Sequence, residues 1–217
     1  MKTLKYIILG VILSSLVFSS FSFSPGQKSF SQEEKVTFCE TYTQQELISK
    51  LEPEDAFFKM VNTEGTDPES SRIGTCKEAD LDAFWSYVQS KDFRSKVPGD
   101  LYIAVGAETS GPMIPLYAIR KSASNNAFPS QQDIDEVSVR KTDQQENYEL
   151  YLSFSGSGAE KWATMTRMNK GKNIAILFNG KVLAAPRVIE EIKNGECSIS
   201  GDYTEGEINK LKAALEN

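Results

Sequence analysis

The 217 residues contain no histidine, which excludes Ser-His-Asp and Cys-His nucleophiles, imidazole metal ligation and a histidine pH switch. What is left to do chemistry is a handful of short runs. Gly156-Ser157-Gly158 has the outline of a phosphate loop or a serine nucleophile elbow. It lacks the third glycine of a dinucleotide fingerprint, the Gly-Lys-Ser/Thr ending of a P-loop and the flanking glycine spacing of an elbow, so it reads as a strand-to-helix turn capped by Ser157. Glu33-Glu34 and Glu190-Glu191 offer carboxylates, but adjacent residues on a strand or helix diverge, and both pairs read as solvated surface. Lys170, Lys172, Lys181 and Arg187 are basic without interleaved aromatics and read the same way. Cys39, Cys76 and Cys197 allow at most one internal disulfide. Cys39 with Cys76, both in the front half, is the expected pair, with three small buried thiols as the alternative. No catalytic residue, cofactor or metal site is motivated, and an enzyme would need a cleft that gathers Asp, Glu, Lys or Ser from distant positions.

The elements around these runs are better defined. Hydrophobic residues make up 40% and charged residues 25%, an ordinary globular composition. With 24 Lys plus Arg against 30 Asp plus Glu the net charge is -6, which argues against nucleic acid. Lys2 and Lys5, an apolar run over Tyr6 to Phe18 and then Ser19, Ser20, Ser22 and Ser24 read as a secretory signal peptide over 1–22 cleaved after Ser22. The alternative is an uncleaved anchor in the inner membrane. Cleavage would leave 195 residues and a net charge of -8, because two lysines and no acids depart. The body would then stand in the periplasm, with no integral membrane segment. Residues 23–34 read as a flexible leader.

A strand is expected over Lys35 to Tyr42, then a helix opened by the Thr43/Glu46 capping box and interrupted at Pro53. A loop from Asn62 to Gly74 precedes an amphipathic helix over Lys77 to Asp92, with Leu81, Phe84, Trp85 and Val88 at helical spacing. Strands follow at Leu101 to Val105 and, after Pro115, at Leu116 to Lys121. Ser130 with Asp133 marks a capped turn before strands Val137 to Lys141 and Glu149 to Phe154, joined through the polar residues 142–147. Ser157 with Glu160 suggests another capping box, opening a helix whose inward stripe is Ala159, Trp162, Ala163 and Thr166. Asn179-Gly180 between Asn173 to Phe178 and Lys181 to Ala185 is a strong hairpin signal. Gly195 to Ser200 reads as a strand, and Thr204 with Glu207 caps a last helix facing inward through Ile208, Leu211 and Leu215. Strands and helices mix without βαβ alternation, which predicts an α+β fold with a mixed, largely antiparallel sheet and packed helices.

Several of these features recur together in one family. A strand ending at Phe154, Gly158-Ala159 opening a helix, Thr166, Arg167, Asn169, Gly171 and Lys172, the Gly180 to Val182 hairpin, Ala185-Pro186, Ile199 to Gly201 and the Thr-capped last helix stand in order. The stretch Tyr148 to Leu215 thus resembles the head of the first periplasmic domain of SecD, a subunit of the bacterial protein-export machinery. Val36 to Tyr42, Gly74 to Asp100 and Pro115 to Lys121 are similar, more loosely, to the long first periplasmic domain of fused SecDF proteins. The resemblance divides the chain into 35–99, a segment next to the base of that domain, and 100–217, a head-like domain. It implies a non-enzymatic protein that contacts translocating or newly exported polypeptides, or Sec translocon components, through an apolar groove or sheet edge. Family members continue into transmembrane helices that couple proton flow to movement, whereas this chain ends at Asn217, so a detached head without that motor is expected. The alternative is an envelope protein-interaction module that reuses the fold outside export.

Overall fold

The computed structural model describes residues 36–107, 111–121, 128–141, 148–200 and 203–216. The expected signal peptide and leader, and the linker 142–147, lie outside the described residues.

In chain order the elements are β1 (Val36–Glu40), α1 (Gln44–Ile48), α2 (Phe57–Met60), β2 (Val61–Asn62), β3 (Arg72–Lys77), α3 (Leu81–Gln89), α4 (Lys91–Lys96), β4 (Leu101–Val105), β5 (Met113–Arg120), β6 (Ile134–Lys141), β7 (Tyr148–Phe154), α5 (Ser157–Met168), β8 (Ile174–Phe178), β9 (Lys181–Ala184), β10 (Glu196–Ser200) and α6 (Glu205–Leu215). Single 3-10 turns stand at Glu78–Asp80 and Gln131–Asp133. The α+β class is as expected, but the strands form three antiparallel sheets: β2-β3-β5-β4 in front, β1-β8-β9 in the middle and β10-β7-β6 behind. The first strand of the described chain pairs with β8, Val36 opposite Phe178 through Glu40 opposite Ile174, so segments more than 130 residues apart share one sheet.

The middle sheet explains the layering. Strand β8 is an unbroken apolar run, Ile174-Ala175-Ile176-Leu177, buried along all four residues. A strand covered on both faces needs no polar alternation. One face meets the rear layer, where Val36, Phe38, Ile174 and Ile176 join Leu150, Leu152, Phe154, Trp162, Met165, Ile199 and Ile208. The other face meets the front sheet through Cys39, Ala175, Leu177 and Val182 against Ala104 and Ile119. The front sheet turns its far side to α1–α4 around Phe57, Ile73, Phe84, Phe93 and Leu116. Bridges Thr41 to Ile119 and Gly106 to Val182 stitch the front and middle sheets along their margins.

Several local expectations are corrected. The helix expected over Lys77 to Asp92 breaks at Ser90, whose side chain accepts from the Phe93 N–H and starts α4, so Phe93 enters the core on a second helix. The loop expected through Gly74 is already strand from Arg72, with a bulge between Arg72 and Gly74. Pro115 lies inside β5, beside Gly106 and just past the last residue pair of β4, where the ladder no longer needs its N–H. Ser157 is the first residue of α5, not its cap; Gly156 takes that position at φ +53, and no side chain caps the helix. Met165 is the side chain that joins Trp162 and Thr166 in full burial, whereas Ala159 and Ala163 are half-buried. The 99/100 boundary runs between β3 and β5, which pair within the front sheet. The Asn179-Gly180 turn and the caps at Thr43, Ser130 and Thr204 form as expected.

The Cys39–Cys76 pair is not made. All three cysteines are free and buried, Cys39 between the front and middle sheets, Cys76 in the front core and Cys197 in the rear core. Burial pushes the thiols up, to about 12 for Cys39 and Cys197 and about 11 for Cys76, with Glu40 and Asp80 adding to the first and last of these shifts respectively. They are small core hydrophobes.

Candidate functional site

Glu33-Glu34 lies outside the described residues, and Gly156-Ser157-Gly158 is scaffold. Gly156 supplies a positive φ, and Gly158 lets α5 approach the Gln131–Asp133 turn so closely that a Cβ there would stand 2.7 Å from the Asp133 carbonyl oxygen. Asp133 accepts from Lys161 Nζ at 2.7 Å and from the Ser130 N–H and hydroxyl. Burial alone would raise its pKa, but these donors outweigh it and hold the carboxyl below its usual value. Together they pin α5 to the start of β6.

Thr166, Asn169, Gly171 and Lys172 are likewise explained by packing. The Thr166 hydroxyl donates back to the helix carbonyls and accepts from the Ile192 N–H at 3.0 Å. Asn169 Nδ2 donates to the Met165 carbonyl, and Gly171, at φ +81, turns the chain. Gly171 N–H then donates to Val188 O, and Val188 N–H to Lys172 O, both at 2.8 Å. The segments 166–173 and 186–192 are thereby zipped into one doublet.

A second charged cluster holds the front helices. Asp55, its side chain 1% exposed, accepts from the Phe57 N–H at 2.9 Å, from the Tyr87 hydroxyl and from Lys96 Nζ at 2.9 Å. Lys96 also reaches Asp92 at 2.7 Å. The Asp55 carboxylate is buried beneath these donors, so the cluster ties α2, α3 and α4 together. Among the described residues no group of three His, Cys, Asp or Glu is placed to hold a metal ion, and no helix is long and apolar enough to cross a membrane.

The concave surface worth weighing lies along β2. This two-residue strand pairs with β3 on one side, Val61 opposite Cys76 and Asn62 opposite Thr75, and no described strand pairs with its other side. Beside it runs a groove of about 330 Å³ lined by Phe58, Met60 and Met113 together with Lys59, Lys77, Glu64 and Asp80. An unpaired edge next to adaptable methionines is suited to an extended peptide, with backbone bonds for affinity and soft pockets for varied side chains. Met113 is more than 50 residues from Met60, and only the β3–β5 pairing, Lys77 opposite Met113, brings them together.

Gly74 makes this edge possible. Its φ is +141, and a Cβ would stand 2.3 Å from Asn62 O and 2.9 Å from Val61 Cγ1. Gly74→Ala should therefore push β2 off β3. The expected cost is about 2–4 kcal/mol, from strain plus overpacking, read as a lowered urea midpoint.

Residues 120–217 match the family model described as SecDF, P1 head subdomain. The back half of this chain is similar to a SecDF P1 head. Among curated proteins, the protein translocase subunit SecD of Acidaminococcus fermentans is 37% identical over 95 residues, which is 44% of this chain and 22% of that protein. SecD of Sebaldella termitidis is 33% identical over 102 residues, 47% of this chain and 21% of that protein. The chain thus spans about a fifth of the length of these relatives. A solved structure of SecDF, a membrane component that enhances protein export, covers 85% of this chain and 62% of its own at 17% identity, with a TM-score of 0.43. The doublet falls inside the matched head, whereas the β2 groove, built from residues 58–113, precedes it.

Proposed function

We propose that this protein is an exported, periplasmic, non-enzymatic component of protein export that holds extended segments of translocating or newly exported polypeptides, next to or on the Sec translocon. The observation that carries this reading is the match of residues 120–217 to the SecDF P1 head, together with relatives that are protein translocase subunits. The β2 groove is the surface assigned to the polypeptide. Its occupant would add a strand beside Val61 and Asn62 and set alternate side chains on Met60 and Met113.

The test is a photo-crosslinking residue placed at Met60 or Met113 in cells. Adducts with exported precursors or Sec subunits, weakened in the Gly74→Ala variant, are the expected result. No adducts, together with unchanged precursor processing in a deletion strain, overturn the reading. Adducts with one envelope protein alone would move the protein to an interaction role outside export.

A further inference from the structure

The doublet of residues 166–173 and 186–192 carries the two large hydrophobic side chains most exposed among the described residues, Met168 at 63% and Ile189 at 75%. They stand on opposite arms of the doublet, Met168 before Gly171 and Ile189 after its partner Val188, which in this antiparallel pairing is the same end. Around them are Arg167, Lys170, Lys172, Arg187 and Lys193, against Glu190, Glu191 and, beside Lys172, Glu46: five basic side chains to three carboxylates, in a chain whose net charge is -6. The two sets of basic residues belong to different arms, and the pairing of the arms brings those arms together. Glu191 is shared by Arg167 at 3.9 Å and Lys193 at 3.6 Å, and Lys172 lies 3.6 Å from Glu46 on α1. Lys170 and Arg187 are exposed and have no ion-pair partner among the described residues.

Clustering cations on an acidic protein costs repulsion, and exposing Met and Ile at the same tip costs hydration. Both costs are recovered on one kind of surface, an interface that is negatively charged at the headgroups and apolar just beneath them. We infer that this tip docks on an anionic lipid bilayer, Met168 and Ile189 entering the headgroup boundary while Lys170 and Arg187 bind lipid phosphates. On such a surface the stems of the basic side chains would bury beside the apolar pair while their charges stay at headgroup level. Two apolar side chains are too few for insertion by themselves, so binding depends on the charge and is reversible. This site is separate from the β2 groove and stands or falls independently of it.

The test uses the full chain with Ile189→Cys carrying an environment-sensitive dye; the native cysteines are buried, so labelling is confined to that position. The dye emission should shift to the blue on vesicles of mixed phosphatidylglycerol and phosphatidylcholine and not on phosphatidylcholine alone. About 0.5 M salt, where the screening length falls well below 10 Å, should abolish the shift. A second label at the exposed Ser198→Cys, on the rear sheet, should not respond, which separates docking of the tip from capture through the N-terminal apolar run. Lys170→Glu with Arg187→Glu should weaken the response by about thirtyfold or more, since each basic contact near an anionic surface is worth about a factor of five. Both substitutions are at exposed positions and leave the core intact. A dye at position 189 that stays unshifted on anionic vesicles, or responds equally to neutral ones, overturns the inference. So does a larger shift with poly-glutamate than with anionic vesicles, which would assign the tip to an acidic polypeptide.

Discussion

Replacing Asp55 with Ala should lower the free energy of unfolding by about 2–4 kcal/mol, one of the two largest effects expected of a single polar substitution here. The side chain is 1% exposed and accepts from three donors on three different elements: the Phe57 N–H that opens α2, the Tyr87 hydroxyl on α3 and Lys96 Nζ on α4. Removal leaves the Phe57 N–H buried without an acceptor, and Phe57 itself is 0% exposed against Phe84 and Phe93. Asp55→Asn separates packing from charge. It keeps the acceptor for Phe57 and Tyr87 and loses the attraction for Lys96, so it should cost less than the alanine variant. The pH dependence has a definite sign. Burial raises the Asp55 carboxyl, but the bonds from Tyr87, Phe57 and Lys96 more than reverse this and leave it below its ordinary value. A carboxylate depressed in the native state adds stability above its unfolded pKa, and that stability is lost as pH falls through the native value. At the alkaline end burial, and then the bond to Asp55, push Tyr87 up to about 12. A raised phenol adds stability below its unfolded value near 10 and loses it as pH climbs toward 12. Urea midpoints measured from acid to alkaline pH should show both flanks in the parent and a flattened acid flank in Asp55→Asn. Identical profiles for the two would refute the assignment.

Asp55 also shows what was legible in the sequence and what was not. The capping boxes at Thr43, Ser130 and Thr204 and the Asn179-Gly180 hairpin could be read because donor, acceptor and turn residues lie within three positions of one another. The same locality misled at Ser157 and Glu160, where the spacing of a capping box is present but Gly156 makes the turn. Nothing near Asp55 in sequence announces that Tyr87 and Lys96, 32 and 41 residues on, will meet it. The groove and the basic tip were hidden for the same reason. Lys170 and Arg187 read as separate solvated lysine and arginine until the pairing of Gly171 with Val188 joins them. Three sheets instead of one also escaped the pattern, since hydrophobic alternation reports which face of a strand is buried but not which strand lies beside it.

Asn173→Ala should cost about 2–4 kcal/mol, and its effect should be felt in two layers at once. Asn173 precedes β8 in the middle sheet. Its Oδ1 accepts from the Ser71 N–H of the front layer at 3.2 Å, and its Nδ2 donates to Ala185 O, past the end of β9, at 2.6 Å. Its backbone oxygen accepts from the Thr41 hydroxyl at 2.8 Å, just before α1. One amide therefore joins segments about 100 residues apart, and both its ends are used. Ser71 is 0% exposed, so alanine leaves a buried N–H with no acceptor and frees the Ala185 carbonyl, which stands next to the strand entering the doublet. Asn173→Asp keeps the acceptor for Ser71 but turns a second oxygen toward Ala185 O, so it should not rescue stability although it is nearly the same shape. Amide exchange distinguishes this from a generic packing defect. Ala118 N–H donates to Ser71 O and Tyr42 N–H to Ala118 O, so the loosening should run from Ser71 to Ala118 and Tyr42 in front and to Val188 behind. Exchange at Leu150 and Leu152 in the rear core should change only with global stability. If Ser71 and Val188 exchange no faster in Asn173→Ala than the rear core does, Asn173 is not the joint between the layers. The joint bears on both proposals, because the proposed peptide groove is built on the front layer and the proposed lipid-facing tip on the doublet. Asn173 is bonded to the first through Ser71 and to the second through the bridge to Arg187.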